Sequence, residues 1–325
     1  MPMNHCRHIA VLAIALAAIN ARGDAVKEKP MLKTQDIRVR DPYIVPVPAE
    51  QAYYLFGTTT LQSEGYNTDP RFDYYRSTDL EQWEGPFPAF QPAADFWSKT
   101  EYWAPEVHAY RGKFYMFATF HSPERRRGTQ ILVADQVAGP YVPLTDGPVT
   151  PEDWECLDGT LYVDPEGKPW MVFCHEWVQI GDGSICAVRL TEDLKEAVGE
   201  PVTLFHASEP AWVKALDIAG RDKPVYVTDG PFMHRLTNGR LLMLWASFDE
   251  KGYVEAIARS DSGSILGPWS HLDRPLLSGD GGHGMLFESL DGRLMFTFHR
   301  PNTTPLERAA FAEVLVKEDT LELKP

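Results

Sequence analysis

Long helical periodicity is absent from this chain of 325 residues, which argues against any architecture that buries one face of a long helix. Positive charge is also in short supply. Lys and Arg number 31 against 46 Asp and Glu, a formal net charge of −15, so nucleic acid and anionic membrane surfaces would repel the protein. Cysteine is scarce: Cys6, Cys156, Cys174 and Cys186 show no metal-type CxxC spacing, and the last three allow one disulfide at most. They read best as small buried hydrophobes. The apolar run at residues 9–19 is too short to cross a bilayer, so no membrane insertion is expected.

That run does fit an export signal, because Arg7 and His8 precede it and small residues around Asn20-Ala21 follow it. Residues 1–25 are expected to be removed, leaving residues 26–325 as a single secreted or periplasmic domain. Aromatic residues are plentiful, with 9 Trp, 13 Tyr and 16 Phe. Most would fill a β core, but Trp and Tyr faces also stack on the apolar faces of sugar rings.

From about residue 36 the chain alternates short apolar, β-branched and aromatic runs with Gly, Pro, Asn and Asp punctuation, the pattern of many short strands. Five runs look like versions of one strand. They begin at Tyr53, Lys113, Pro169, Arg240 and Arg293, and the last four each follow a turn at Arg111-Gly112, Glu166-Gly167, Asn238-Gly239 or Asp291-Gly292, where glycine supplies the positive φ of a hairpin. Just upstream recurs a second element: Arg40-Asp41-Pro42-Tyr43, Ala104-Pro105-Glu106-Val107, Leu157-Asp158-Gly159-Thr160, Thr228-Asp229-Gly230-Pro231 and Gly282-His283-Gly284-Met285. A third set, ending at Trp83, Tyr141 and Trp269, reads as outer-strand turns with an aromatic residue under the next blade. Spacing of this kind predicts an all-β, five-bladed β-propeller, in which the polar members of the five upstream motifs would share one axial funnel.

Those five motifs, in that order, resemble the inner-strand motifs of glycoside hydrolase family 43 over nearly all of the chain from residue 36. The resemblance implies inverting hydrolysis of a glycosidic bond by three carboxylic acids. Asp41 matches the general base and Asp158 the carboxylate that tunes and orients the acid. The family's acid is a Glu in Glu-Gly-Pro, whereas this chain has Asp229-Gly230-Pro231. An acid shorter by one methylene holds its proton further back, so Glu176, in Cys174-His175-Glu176-Trp177, is an equal candidate, with Glu209 and Glu106 behind it. His283 matches an axial position that contacts substrate or a calcium ion, although no cofactor is required for the reaction. Trp103, Glu106, His175, Trp177 and Trp245 are candidate sugar contacts, and residues 125–127, three arginines, are expected to face solvent. The implied partner is an oligo- or polysaccharide. Loops at 63–71 and 207–224 would wall the funnel into a pocket for exo-action, with α-L-arabinofuranosidase first and β-xylosidase or β-galactofuranosidase next. A carbohydrate-binding propeller without catalysis is the alternative.

Overall fold

The computed structural model describes residues 31–59, 62–63, 66–67 and 70–325; the expected export signal and residues 64–65 and 68–69 of the 63–71 loop lie outside them. Five antiparallel sheets follow one another along the chain and form the five blades of a β-propeller. From the axis outward, blade I consists of Arg40–Val47, Ala52–Thr58, Phe72–Ser77 and Gln82–Phe90, with Leu32–Lys33 added at its outer edge. Blade II contains Thr100–Tyr110, Lys113–Ser122, Arg125–Ala134 and Val142–Pro143. Blade III contains Cys156–Val163, Pro169–His175, Ser184–Leu190 and Ala197–His206. Blades IV and V run Asp229–Arg235, Leu241–Asp249, Gly252–Ser260, Trp269–His271 and Gly282–Glu288, Leu294–Arg300, Arg308–Val316, Leu321–Leu323.

Each of the five repeated runs is the second strand of its blade, and Gly112, Gly167, Gly239 and Gly292 all take positive φ in the turns that lead into them. The apolar core is divided among the interfaces between blades rather than gathered at the centre. Phe72 of blade I meets Phe120 of blade II edge-on at 5.7 Å, and Phe205 meets Trp245 at 5.2 Å between blades III and IV. Tyr141 and Trp269 differ from expectation: they pack back on Phe56 and Phe205 of the preceding blade, not under the next one. Cys156, Cys174 and Cys186 are free and buried.

The ring closes without exchanging a strand, since among the described residues no strand of one blade joins the sheet of another. Blades V and I are instead joined by the Arg38–Glu307 ion pair at 3.3 Å, by the Val39 amide on the Glu307 carbonyl at 3.3 Å, and by the Asp41 amide on His299 Nδ1 at 3.2 Å.

Candidate active site

All five inner strands break register at the same place, between Arg40 and Tyr43, Trp103 and Glu106, Leu157 and Thr160, Asp229 and Phe232, and Gly282 and Met285. At each bulge one residue is left-handed: Asp41, Ala104, Asp158, Gly230 and His283, with φ of 55°, 43°, 55°, 44° and 52°. Four of these are not glycine, a conformation that costs about 1 kcal/mol or more each and persists only where surrounding structure enforces it. Gly230 has no alternative, because a Cβ there would stand 2.5 Å from the His283 ring. A bulge bends the strand and re-aims its side chains. The left-handed residue therefore faces the axis, and the residue before it, Arg40, Trp103, Leu157 or Asp229, lines the cavity above. Asp229 thus corresponds to Arg40 and not to Asp41: the motifs share a repeat, but Asp229 stands one residue ahead of the other two acids.

The cavity encloses about 400 Å³ and includes Asp41, Asp158, Asp229 and His283 on its floor, with Trp103, Glu176 and Trp177 on one side and Arg38 and Thr304 on another. Asp41 Oδ2 accepts the Thr58 hydroxyl at 2.8 Å. Its Oδ1 lies 3.1 Å from His283 Nδ1 and 3.4 Å from Arg40 Nε, yet neither donor is aligned on it, and it has no hydrogen-bond partner among the described residues. Burial pushes the Asp41 carboxyl up, but the charges of His283 and Arg40 together with the Thr58 bond outweigh it, and its pKa falls below the ordinary value. His299, lowered to about 4 mainly by burial, is neutral and so able to accept the Asp41 amide.

Beyond the imidazole of His283 lies a carboxyl pair. Asp158 Oδ2 accepts the Gly230 amide at 3.1 Å and stands 3.7 Å from His283 Nδ1; Asp229 Oδ2 accepts the Tyr253 hydroxyl at 2.6 Å. Burial, then repulsion from Asp229, raises the Asp158 pKa well above the carboxylate range, so the pair gives up its last proton less readily than two separate carboxyls would. Asp229 is the member that substrate can reach, its side chain 17% exposed against 4% for Asp158. Arg40 bridges the two halves of the floor, 3.4 Å from Asp41 and 3.9 Å from Asp229.

Glu176 reaches the cavity from the start of the short helix Trp177–Ile180, but its carboxylate is tied to Arg127. Arg127 is also held by Glu101 at 2.6 and 3.0 Å and lies over the Trp103 ring at 4.8 Å. The three arginines therefore do not all face solvent: Arg126 pairs with Glu155 at the surface and Arg125 covers Trp97, while Arg127 turns inward behind the site wall.

Several other candidates are corrected. Trp245 is fully buried against Phe205 and Trp212, in the core and away from sugar. His175 stacks on Trp154 at 4.1 Å and bonds Gln179 at 2.9 Å, and does not line the cavity. Glu106 faces His108 at 3.1 Å and does not line it either, and Glu209 sits on an outer loop with half-exposed side chain. No residue of the 207–224 loop lines the cavity, although Arg221 covers Trp177 from behind at 5.4 Å. Arg40, Thr58, Arg127, Tyr253, Glu255 and His299 were assigned no role on sequence; only Arg40, beside Asp41, carried a signal.

One atom each from Asp158, Asp229 and His283 lies within 4.8 Å of the other two, a candidate metal group. Calcium asks for six to eight oxygen ligands, whereas these side chains offer two carboxyls already bonded to the Gly230 amide and the Tyr253 hydroxyl and one imidazole that faces Asp41. The donor set does not fit a calcium ion bound directly by them.

A propeller with three acids converging on its axis defines the class of carbohydrate-cleaving hydrolases. Residues 30–318 match the family described as Glycosyl hydrolases family 43, and the chain belongs to that family. It is accordingly a glycosidase that works with inversion at the anomeric carbon. Among solved structures it is similar to an endo-arabinase from Bacteroides thetaiotaomicron, with 40% identity over 90% of this chain and 99% of that one and a TM-score of 0.82. An endo-1,4-beta-xylanase from the same organism (22% identity, 91% and 97% covered, TM-score 0.71) and an alpha-L-arabinofuranosidase from Lactobacillus brevis (19%, 90% and 97%, 0.68) share the fold. Among curated proteins none matches the sequence.

Proposed function

We propose that the chain hydrolyses α-L-arabinofuranosyl linkages in arabinan-type polysaccharide, releasing terminal residues, with Asp41 as base and Asp229 as acid. The observation that carries the assignment is the arrangement around His283: an Asp41 oxygen without a hydrogen-bond partner on one side, a closely spaced carboxyl pair on the other. The Asp41 carboxylate takes a proton from water as the water oxygen attacks the anomeric carbon, and the glycosidic oxygen departs with the proton delivered through Asp229. Repulsion between Asp158 and Asp229 opposes loss of the last proton from the pair. Glu176, engaged by Arg127, serves as a wall residue for sugar hydroxyls, because a carboxylate held by a guanidinium is a poor proton donor. Trp103 and Trp177 offer ring faces to the sugar.

The 40% identity to an endo-arabinase supports arabinan as substrate and favours internal cleavage as the second reading. We further propose that the enzyme acts outside the cytoplasm after removal of residues 1–25, which N-terminal sequencing of exported protein would check. Digestion of arabinan, arabinoxylan and nitrophenyl furanosides separates the readings: arabinose alone supports terminal release, a ladder of oligosaccharides supports internal cleavage, and xylose from arabinoxylan defeats the sugar assignment. Asp229→Asn should regain activity on substrates with an activated aryl leaving group while Glu176→Gln should not; the reverse would move the acid to Glu176.

A further inference from the structure

The five bulges expose amides near the axis, and three are capped alike. Ala104 N–H donates to Thr58 Oγ1 at 2.8 Å, Asp158 N–H to Thr119 Oγ1 at 2.9 Å and Asp41 N–H to His299 Nδ1 at 3.2 Å. Each cap comes from the second strand of the preceding blade and holds one register position, opposite Arg40, Trp103 and Gly282 respectively. In blade IV that position, opposite Asp229, is Ala246, whose methyl can accept nothing.

The next residue in the same row is Glu255, opposite Ala246 on the third strand. Residues directly opposite one another share a face of the sheet, and the small Ala246 leaves room for Glu255 to reach past it. Its Oε2 accepts the Gly284 amide at 3.0 Å, and the His283 amide acts on the same carboxyl. Two backbone bonds to Leu277, both 3.0 Å, fix Glu255 in place. The carboxyl is fully buried, and its Oε1 has no hydrogen-bond partner among the described residues. An imperfectly satisfied buried carboxyl costs stability, and packing alone would be served as well by an apolar side chain.

We infer that Glu255 is a positioning residue for the hydrolysis: by capping the amides at His283 and Gly284 it holds the His283 imidazole between Asp41 and Asp158. It touches neither substrate nor reacting atoms. The inference rests on Asp41 acting as the base.

Glu255→Gln and Glu255→Met test it, since the two replacements have similar volume and only Gln retains an amide acceptor. Glu255→Met should lower kcat on arabinan oligosaccharides by about tenfold to a hundredfold at unchanged KM, the loss expected when a reacting group drifts out of alignment. Glu255→Gln should keep most of the parental kcat. A merely structural residue would lower the melting temperature in both variants without a selective loss of kcat. Parental kcat in Glu255→Met, or an equal loss in both variants, would overturn the inference. Asp41→Asn, measured alongside, separates the two claims: if it stays active the base is misassigned, whereas an inactive Asp41→Asn with a parental Glu255→Met leaves the base intact and removes only Glu255.

Discussion

Replacing Asp158 by asparagine keeps the side-chain shape, including an oxygen for the Gly230 amide, and removes one of two acids that share a proton. The carboxyl oxygens of Asp158 and Asp229 lie no more than 4.8 Å apart. At an effective dielectric constant of about 20, two unit charges at that distance repel by about 3.5 kcal/mol, equivalent to about 2.5 pH units. In the parent, burial and this repulsion hold the Asp158 pKa well above the ordinary range. Without Asp158, nothing of that size retains the proton needed at the glycosidic oxygen. The alkaline limb of kcat/KM on arabinan oligosaccharides should move down by about two pH units, with activity near neutrality falling by about a hundredfold. Nitrophenyl furanosides, with a better leaving group, should show a smaller displacement. Stability should change in the opposite sense. A raised pKa means that the folded state retains a proton the unfolded state releases, so this group's contribution falls as pH rises from the ordinary carboxylate value toward the raised one. Asp158→Asn removes that loss and should melt above the parent at neutral pH. An alkaline limb that stays in place would refute the coupling of the two acids.

Trp177→Ala should raise KM by about three- to tenfold with little change in kcat, as expected for a ring face that binds ground state and transition state alike; steady-state kinetics would show it. Trp245→Ala should cost about 3–5 kcal/mol of stability through the cavity it leaves and spare the kinetics of the folded fraction, measurable by denaturant unfolding alongside activity. Arg127→Met should cost about 3–5 kcal/mol by stranding Glu101 and Glu176 in the wall, and adding Glu176→Gln should recover part of that loss, a non-additivity visible in a double-mutant cycle.

The propeller was legible because four of the five hairpins advertise themselves locally, a turn glycine followed by a largely buried second strand. The axial acids were legible as a set because five bulges recur at one place in the repeat. Their phase was not: Asp41-Pro42, Asp158-Gly159 and Asp229-Gly230-Pro231 look interchangeable until backbone dihedrals show that the left-handed residue of blade IV is Gly230. Trp245 and His175 were misplaced for a different reason. Both lie on second strands whose two faces are covered by neighbouring blades, so an aromatic residue there fits core and site equally well in the sequence. Tyr253 and Glu255 had no signal at all, for they act from a third strand, Glu255 from the position opposite the small Ala246.

Closure of the ring by a few point contacts rather than by a shared strand sets the timing of enzyme maturation. The Asp41 amide and its His299 cap are 258 residues apart, and His283, which flanks the same carboxylate, also belongs to the final blade. An emerging polypeptide thus holds its water-activating group early but lacks the surroundings that would arm it. Hydrolytic competence comes only at the last docking event, so incomplete or nicked molecules should be silent rather than partly active.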